Sequence, residues 1–219
     1  MKKTLLFVIL IITSVSVNAQ KLQGVKNFLG GFKYEIIAGY GTTNLMSEPF
    51  DEAKFTYNLG VTARKEFSSF KDGKIGLYGI TGLIFTSRAG KYDNTIETLV
   101  DDDKNARVNG VAVPIHIGGE YKFSKVSLFC DLGPNVFFKT GCSDIDNFDA
   151  SAVTFGAGIE FGVRFTRFAI SFGYDQDITN IAKFTPDSNQ KDEFELDKES
   201  YSFKSGELHL RLRWTLGKK

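Results

Sequence analysis

The side chains of this sequence that could do chemistry are two histidines and many charged residues within alternating segments. His116 and His209 are the chain's two histidines. Histidine is the commonest general base, and it needs a Ser or Asp within hydrogen-bond reach to act on a substrate. Both histidines fall in the middle of segments in which apolar and polar residues alternate, on the polar side. We therefore interpret them as interior polar residues and predict that the protein has no catalytic residue and is not an enzyme.

Acidic residues between the alternating segments are the second candidate for chemistry. Carboxylates of this kind can bind a divalent cation, and Asp144-Ile145-Asp146 begins like a calcium loop. That stretch lacks the Gly at the sixth position and the Glu at the twelfth. We interpret the acidic groups as solvated charge runs and predict no metal site and no cofactor. They are Asp101, Asp102, Asp103, Asp144, Asp146, Asp149, Asp192, Glu193, Glu195, Asp197 and Glu199.

The two cysteines are expected to remain unpaired. Cys130 falls in the middle of a predicted strand and Cys142 in the connection after it. About eight strand residues at roughly 3.3 Å each separate them, which is well beyond the reach of a disulfide.

The first residues of the chain have the order of a secretory signal peptide. Lys2 and Lys3 precede an apolar stretch, residues 5–12, and small residues follow before Gln20. The apolar stretch is shorter than the roughly 20 residues that a membrane-spanning helix needs. We predict a signal peptide over residues 1–19, a periplasmic leader over 20–31, and an outer-membrane β-barrel domain over 32–219.

Alternation with a period of two predicts an all-β protein with eight antiparallel strands. The third strand has apolar residues on both sides, so its orientation is left open. The predicted strands are residues 32–41, 55–67, 75–87, 108–123, 126–138, 152–165, 168–181 and 201–217. The connections after strands two, four and six are short, and those after strands one, three, five and seven are long and polar. This layout is typical of an up-and-down transmembrane β-barrel with short periplasmic turns and long extracellular loops.

The polar side of the alternation indicates which side of the barrel faces lipid. It carries charges of both signs together with many glycines, which would weaken strands on a solvated exterior but make room inside a lumen. Aromatic residues also gather near the strand ends, as in the girdles of membrane barrels. The apolar side is therefore predicted to meet lipid. The charged residues predicted to face the lumen are Lys33, Glu35, Arg64, Glu120, Lys122, Asp131, Glu160, Arg164, Asp175, His209, Arg211 and Arg213.

Charge and barrel size limit the function classes. A net charge of +1 offers no basic stripe for nucleic acid. Eight strands leave an interior only just wide enough for side chains. Opposite charges in that interior are therefore expected to pair across the barrel and fill it.

Several short motifs resemble those of PorT-like outer-membrane β-barrel proteins. Residues 111–123, VAVPIHIGGEYKF, resemble that family's strand with an apolar-Pro-apolar run, and residues 129–134, FCDLGP, resemble its apolar-Gly-Pro strand. Residues 87–90, SRAG, and 174–181, YDQDITNI, are similar to the endings of its third and seventh strands. The resemblance implies the barrel fold and carries no catalytic residue. One departure is the chain end, LGKK, where outer-membrane barrels usually finish on an aromatic residue; Trp214 lies nearby.

The leading functional hypothesis is a non-enzymatic, monomeric protein of the cell outer membrane. Its filled barrel would sit in outer-membrane lipid, and its acidic loops would contact the surroundings or a protein partner. Two alternatives stay open: a narrow pore or transporter, and a soluble periplasmic barrel that binds an apolar ligand.

Overall fold

A computed structural model describes residues 31–46, 52–91, 106–142, 147–185 and 200–216, with only the backbone for Glu52 and Lys91. The predicted signal peptide and nearly all of the leader lie outside these ranges. So do most of the acidic residues that the sequence analysis interprets as solvated charge runs. The residues from Lys33 onward form one compact unit. The described part of the chain contains no helix of the length and hydrophobicity that a membrane span requires.

Eight long strands close into an antiparallel barrel, as the alternation predicts. The order around the barrel is β1, β11, β8, β7, β5, β4, β3, β2. The barrel strands are β1 (Phe32–Leu45), β2 (Glu52–Phe70), β3 (Ile75–Lys91), β4 (Ala106–Phe123), β5 (Val126–Cys142), β7 (Val153–Phe165), β8 (Phe168–Asp177) and β11 (Ser205–Thr215). The remaining strands, β6 (Phe148–Ala150), β9 (Ala182–Phe184) and β10 (Tyr201–Phe203), form a separate three-stranded sheet in the order β10, β9, β6.

Short turns join the barrel strands at one end only. Ser124 and Lys125 connect β4 to β5, Thr166 and Arg167 connect β7 to β8, and residues 71–74 connect β2 to β3. Ser124 and Thr166 have the left-handed φ values of 42° and 52°, which tight hairpin turns require. The other end carries the long connections. The first and last barrel strands pair with each other, from Glu35 opposite Thr215 to Leu45 opposite Ser205. This pairing closes the sheet into a barrel.

Several predicted boundaries were wrong at the end with the long connections. Strands β2 to β5 contain 17 to 19 residues, longer than the predicted strands. The predicted eighth strand, 201–217, is divided: β10 leaves the barrel for the small sheet before β11 begins. The predicted seventh strand ends at Asp177 rather than at residue 181. The apolar residues change sides within the predicted eighth strand: Tyr201 and Phe203 share parity with the polar Glu207 and His209 of β11.

The three-stranded sheet contributes apolar side chains to the end of the barrel with the long connections. Phe148, Phe184 and Phe203 are buried, and they share one apolar cluster with Leu45 and Phe137 of the barrel strands. The rings of Phe148 and Phe203 lie 6.1 Å apart. The predicted loops 139–151 and 182–200 are therefore not wholly polar. We call this apolar cluster the cap.

The two faces of the barrel differ as the sequence predicts. Large apolar residues project outward, for example Phe55 with 78% and Ile117 with 65% of its surface exposed. Aromatic rings pair near the short turns, with Phe168 stacked on Trp214 at 6.0 Å. On β3, whose orientation the sequence left open, Tyr78 and Ile80 point inward. The outward face is thus an apolar band of the kind that membrane barrels present to lipid.

Candidate functional site

The lumen contains a dense set of buried charged side chains. Among the described residues, seven carboxylates and five guanidiniums are buried, together with both histidines. Burying a charge is costly unless it is paired and hydrogen-bonded. The partners of each group therefore define what the lumen can do. The charged residues are Glu35, Glu120, Asp131, Glu160, Asp175, Asp177, Glu207, Arg64, Arg88, Arg164, Arg211 and Arg213.

The layer nearest the short turns is built from two arginines and two glutamates. Arg64 forms an ion pair with Glu120, which also accepts a hydrogen bond from Ser127. Arg164 donates to Glu35 Oε1 at 2.5 Å, and its Nε lies 3.5 Å from Glu120 Oε1. Both carboxylates are thereby compensated by a guanidinium.

The middle of the lumen contains a fully bonded histidine. His116 Nδ1 lies 2.9 Å from Asp131 Oδ1, and Nε2 lies 3.0 Å from Asn135 Oδ1. Asn135 uses its Nδ2 to donate to Asp175 Oδ1 at 2.7 Å, so its Oδ1 must accept from His116. Each ring nitrogen of His116 therefore has a hydrogen-bond partner. We call His116, Asp131, Asn135 and Tyr78 the His116 layer; Tyr78 donates to Asp131 Oδ2 at 3.4 Å.

A second histidine lies among carboxylates toward the cap. His209 Nε2 is 3.6 Å from Glu160 Oε2, and Nδ1 is 3.5 Å from Asp175 Oδ2. Neither ring nitrogen has a hydrogen-bond partner within the described structure. Arg211 donates to Glu160 Oε2 at 3.1 Å and to Asp175 Oδ2 at 3.2 Å.

Glu207 is a further carboxylate in the group of charged residues around His209. It pairs with Arg88 and accepts a hydrogen bond from Asn58 Nδ2 at 2.8 Å. Asp177 lies close by, with its Oδ2 3.6 Å from Arg88 Nε. We define the His209 layer by its charged members, which are His209, Glu160, Asp175, Asp177, Glu207, Arg88, Arg211 and Arg213.

Several of these pairs connect strands that are distant around the barrel. Arg88 on β3 reaches Glu207 on β11, and Arg164 on β7 reaches Glu35 on β1. In each case two other strands lie between the partners. Such contacts require the side chains to extend across the lumen. The predicted filling of the lumen by paired charges is therefore present in the structure.

Aromatic rings occupy space between the charges. The ring of Phe129 faces two guanidiniums, with Arg164 at 5.2 Å and Arg213 at 5.6 Å from its centroid. Arg64 lies 4.7 Å from the centroid of Tyr78. These distances suit cation–π attraction. The rings thus contribute to packing and to charge stabilisation at once.

A cavity of about 500 Å³ opens at the end with the short turns. Its floor includes the ion-paired Arg64, Glu120 and Arg164, while Lys33 and Lys125 line its sides. The predicted lumen residue Lys33 thus lies at the exposed mouth. Lys122, also predicted inside, is half-buried there and pairs with Glu66 at 3.1 Å.

Sequence reasoning placed the other ten predicted lumen residues correctly but missed several partners. Glu207 and Asp177 share strand parity with His209 and Asp175, two residues away, so the alternation offered a signal for both. Arg88 fell just outside the predicted third strand. Asn58 and Asn135 donate to Glu207 and Asp175. These partners could not be predicted from the sequence, because they depend on which strands face each other. No catalytic residue was predicted, and both histidines lie inside the barrel.

The two cysteines are free thiols in the structure. Cys130 lies on the outward, lipid-facing side of β5, and Cys142 is exposed at the last residue of the same strand. Cys142 thus marks the end of the barrel opposite the short turns.

Comparison with solved structures supports the barrel class. The outer membrane enzyme PagL matches with a TM-score of 0.51 and 14% identity, over 83% of this chain and 99% of that chain. OprG from Pseudomonas aeruginosa matches with a TM-score of 0.46 and 12% identity, over 85% and 96%. Neisserial surface protein A matches with a TM-score of 0.44 and 10% identity, over 85% and 98%. The protein has the fold of an eight-stranded outer-membrane β-barrel.

Sequence comparisons add no closer assignment. No family model matches the chain, and no curated protein matches it. The resemblance to PorT-like proteins therefore stays a prediction.

Proposed function

We propose that this protein is a non-enzymatic component of the outer membrane, in which a filled barrel anchors acidic extracellular connections that contact the surroundings or a protein partner. The observation that carries the proposal is the set of ion pairs that cross the lumen, above all Arg88 with Glu207 and Arg164 with Glu35. An open channel would need this space for water and solute. The cap adds a cluster of buried apolar side chains at the opposite end from the cavity.

The position of the histidines supports a non-enzymatic role. PagL, which has a similar fold, is described as an enzyme, so catalysis is a genuine contrary hypothesis. In this chain the contacts of His116 are a carboxylate and an amide, and the groups nearest His209 are carboxylates. A general base needs a nucleophile or a substrate proton within reach. Both rings are buried in the lumen, away from lipid.

The outward face supports residence in a bilayer. Exposed Leu, Ile and Phe side chains alternate with lumen residues along every long strand. In water such a surface would be an aggregation hazard, whereas a membrane barrel needs it. The polar lumen also removes the basis for the alternative in which a soluble barrel holds an apolar ligand inside.

Conductance is the decisive measurement. The protein is reconstituted in planar bilayers after its folding has been verified by a mobility shift on boiling and by resistance to carbonate extraction. We expect no stable conductance steps. The double variant Arg88→Ala with Glu207→Ala removes one cross-lumen pair and should conduct more often than the matched exposed variant Lys183→Ala. Regular steps from the unmodified barrel would instead support the narrow-pore alternative.

Orientation can be tested with the two native thiols. A membrane-impermeant maleimide added to intact cells should label Cys142, because it is exposed at the end with the long connections. Cys142→Ser should abolish labelling, while Cys130, facing lipid, should stay unmodified until the membrane is dissolved. Labelling of Cys142 only after the outer membrane is opened would contradict the proposed extracellular position of the long connections.

A further inference from the structure

Half of the buried side-chain atoms without a hydrogen-bond partner among the described residues belong to the His209 layer. Besides both ring nitrogens of His209, they include Asp177 Oδ2, Arg88 Nε and Arg211 Nε. The His116 ring, by contrast, has a partner at each nitrogen. Buried polar groups in native proteins almost always have a partner, and a cluster of exceptions indicates an additional occupant such as a bound ion.

We propose that His209, Asp175 and Glu207 bind a divalent transition metal, with Zn²⁺ as the reference ion. One donor atom from each residue lies within 4.8 Å of the other two. Imidazole and carboxylate groups are zinc ligands at about 2.0–2.2 Å, so tetrahedral ligand atoms lie about 3.4 Å apart. Metal binding therefore requires the three side chains to approach one another. All three residues are buried.

Strand register leaves room for the ring of His209. The neighbouring strands place Gly41 and Gly173 directly beside it. A Cβ atom at Gly173 would collide with Nε2 of the ring. The glycines therefore remove lateral side chains that could bond to His209, and they leave its nitrogens facing carboxylates.

The carboxylate ligands are already oriented by outer hydrogen bonds. Asn58 donates to Glu207 Oε1, and Asn135 donates to Asp175 Oδ1. Arg88 and Arg211 hold the opposite oxygens of the same carboxylates. Ligands fixed by second hydrogen bonds in this way are a regular feature of protein metal sites, and loss of one such bond weakens metal binding about 10- to 100-fold.

Local charge also favours a cation. The His209 layer holds four carboxylates against three guanidiniums, Arg88, Arg211 and Arg213. With a neutral histidine, one negative charge is uncompensated. A metal binds only the neutral ring, so metal and proton compete for His209, and affinity should rise with pH until the ring is fully deprotonated.

The test uses the full-length barrel, folded into phosphatidylcholine vesicles with Zn²⁺ and then freed of unbound metal. Elemental mass spectrometry should find about one zinc per chain. The zinc-loaded protein should also need a higher temperature than chelator-treated protein before heating shifts its mobility on the gel. His209→Gln should lose the zinc and this temperature shift. His116→Gln is the matched control and should retain both.

Two further measurements keep the proposal open to refutation if His209→Gln does not fold. Asn58→Ala should weaken zinc binding about 10- to 100-fold while leaving the three ligands in place. Co²⁺ in place of Zn²⁺ should give visible absorption bands in the unmodified protein that are unchanged in His116→Gln. Absence of stoichiometric metal, or equal loss in the His209 and His116 variants, would overturn the site. Neither result bears on conductance, so the proposed anchoring function is tested separately.

Discussion

The His116 layer and the His209 layer place the same residue type in two different environments. Each ring nitrogen of His116 has a hydrogen-bond partner, Asp131 at Nδ1 and Asn135 at Nε2. His209 lies at 3.5 and 3.6 Å from two carboxylates and makes no hydrogen bond within the described structure. One layer is a closed polar network and the other is incomplete. The comparison shows that a buried histidine's role depends on its neighbours across the sheet rather than on its own strand.

The largest expected loss of stability comes from breaking the ion pair between Arg88 and Glu207 in the His209 layer. Glu207→Ala leaves the guanidinium of Arg88 buried, which should lower the free energy of unfolding by about 3–5 kcal/mol. The control is Glu66→Ala, because its partner Lys122 is 36% exposed, and such pairs contribute about 0–1 kcal/mol. Urea unfolding in lipid vesicles, followed by Trp214 fluorescence, measures both. Equal losses would show that the cross-lumen pair is no stronger than the one at the mouth.

A smaller loss of stability is expected when His116 is replaced, and this loss should differ from the one at His209. With chelator present, His116→Leu removes the donors to Asp131 and Asn135, so we expect a loss of about 1–3 kcal/mol. His209→Leu removes no hydrogen bond and should cost less than about 1 kcal/mol on the same argument. The same urea titration compares them. A larger loss for His209 would mean that its ring already forms strong ion pairs without metal.

An effect of similar or smaller size tests how tightly the His116 layer is packed. A Cβ at Gly118 would collide with the ring of Tyr78, and overpacking of this kind costs about 1–3 kcal/mol. Gly119 faces lipid, where the nearest atom to an added Cβ is Leu77 Cδ2 at 3.8 Å. Gly118→Ala should therefore lower the midpoint of unfolding, and Gly119→Ala should leave it nearly unchanged. A neutral Gly118→Ala would indicate that Tyr78 can move freely in the lumen.

Much of the barrel was predictable because membrane strands repeat one simple pattern. The alternation from Phe155 to Phe165 specifies both faces of β7 without knowledge of its neighbours. Long and short connections then order the strands in an antiparallel barrel. The alternation could not orient β3, where Tyr78 and Ile80 are apolar enough to suit lipid but lie inside the lumen. Tyr78 fits there because its ring lies against Gly118, where a Cβ atom would collide with it.

The cap and the His209 layer were not predictable in the same way. Residues 201–203 were predicted as the start of the eighth barrel strand, yet they pair with β9 in another sheet. The choice depends on burial of Phe203 against Phe148 and Phe184, which are far away in sequence. Likewise, nothing near Arg88 in the sequence indicates Glu207 as its partner, because that contact spans 119 residues.

By itself, the sequence determined the fold class, the number of barrel strands, the division into lipid and lumen faces for every barrel strand except β3, and the prediction that lumen charges pair. These properties follow from local periodicity, because each strand must carry apolar residues on its lipid face and polar residues on its lumen face. Only the tertiary structure decided which charge meets which, that His116 is fully bonded while His209 is not, and that a small separate sheet packs apolar side chains against residues of the barrel strands. The reason is register: closing the barrel brings residues from distant strands to the same level, and a shift of one residue would exchange every lumen side chain for a lipid-facing one.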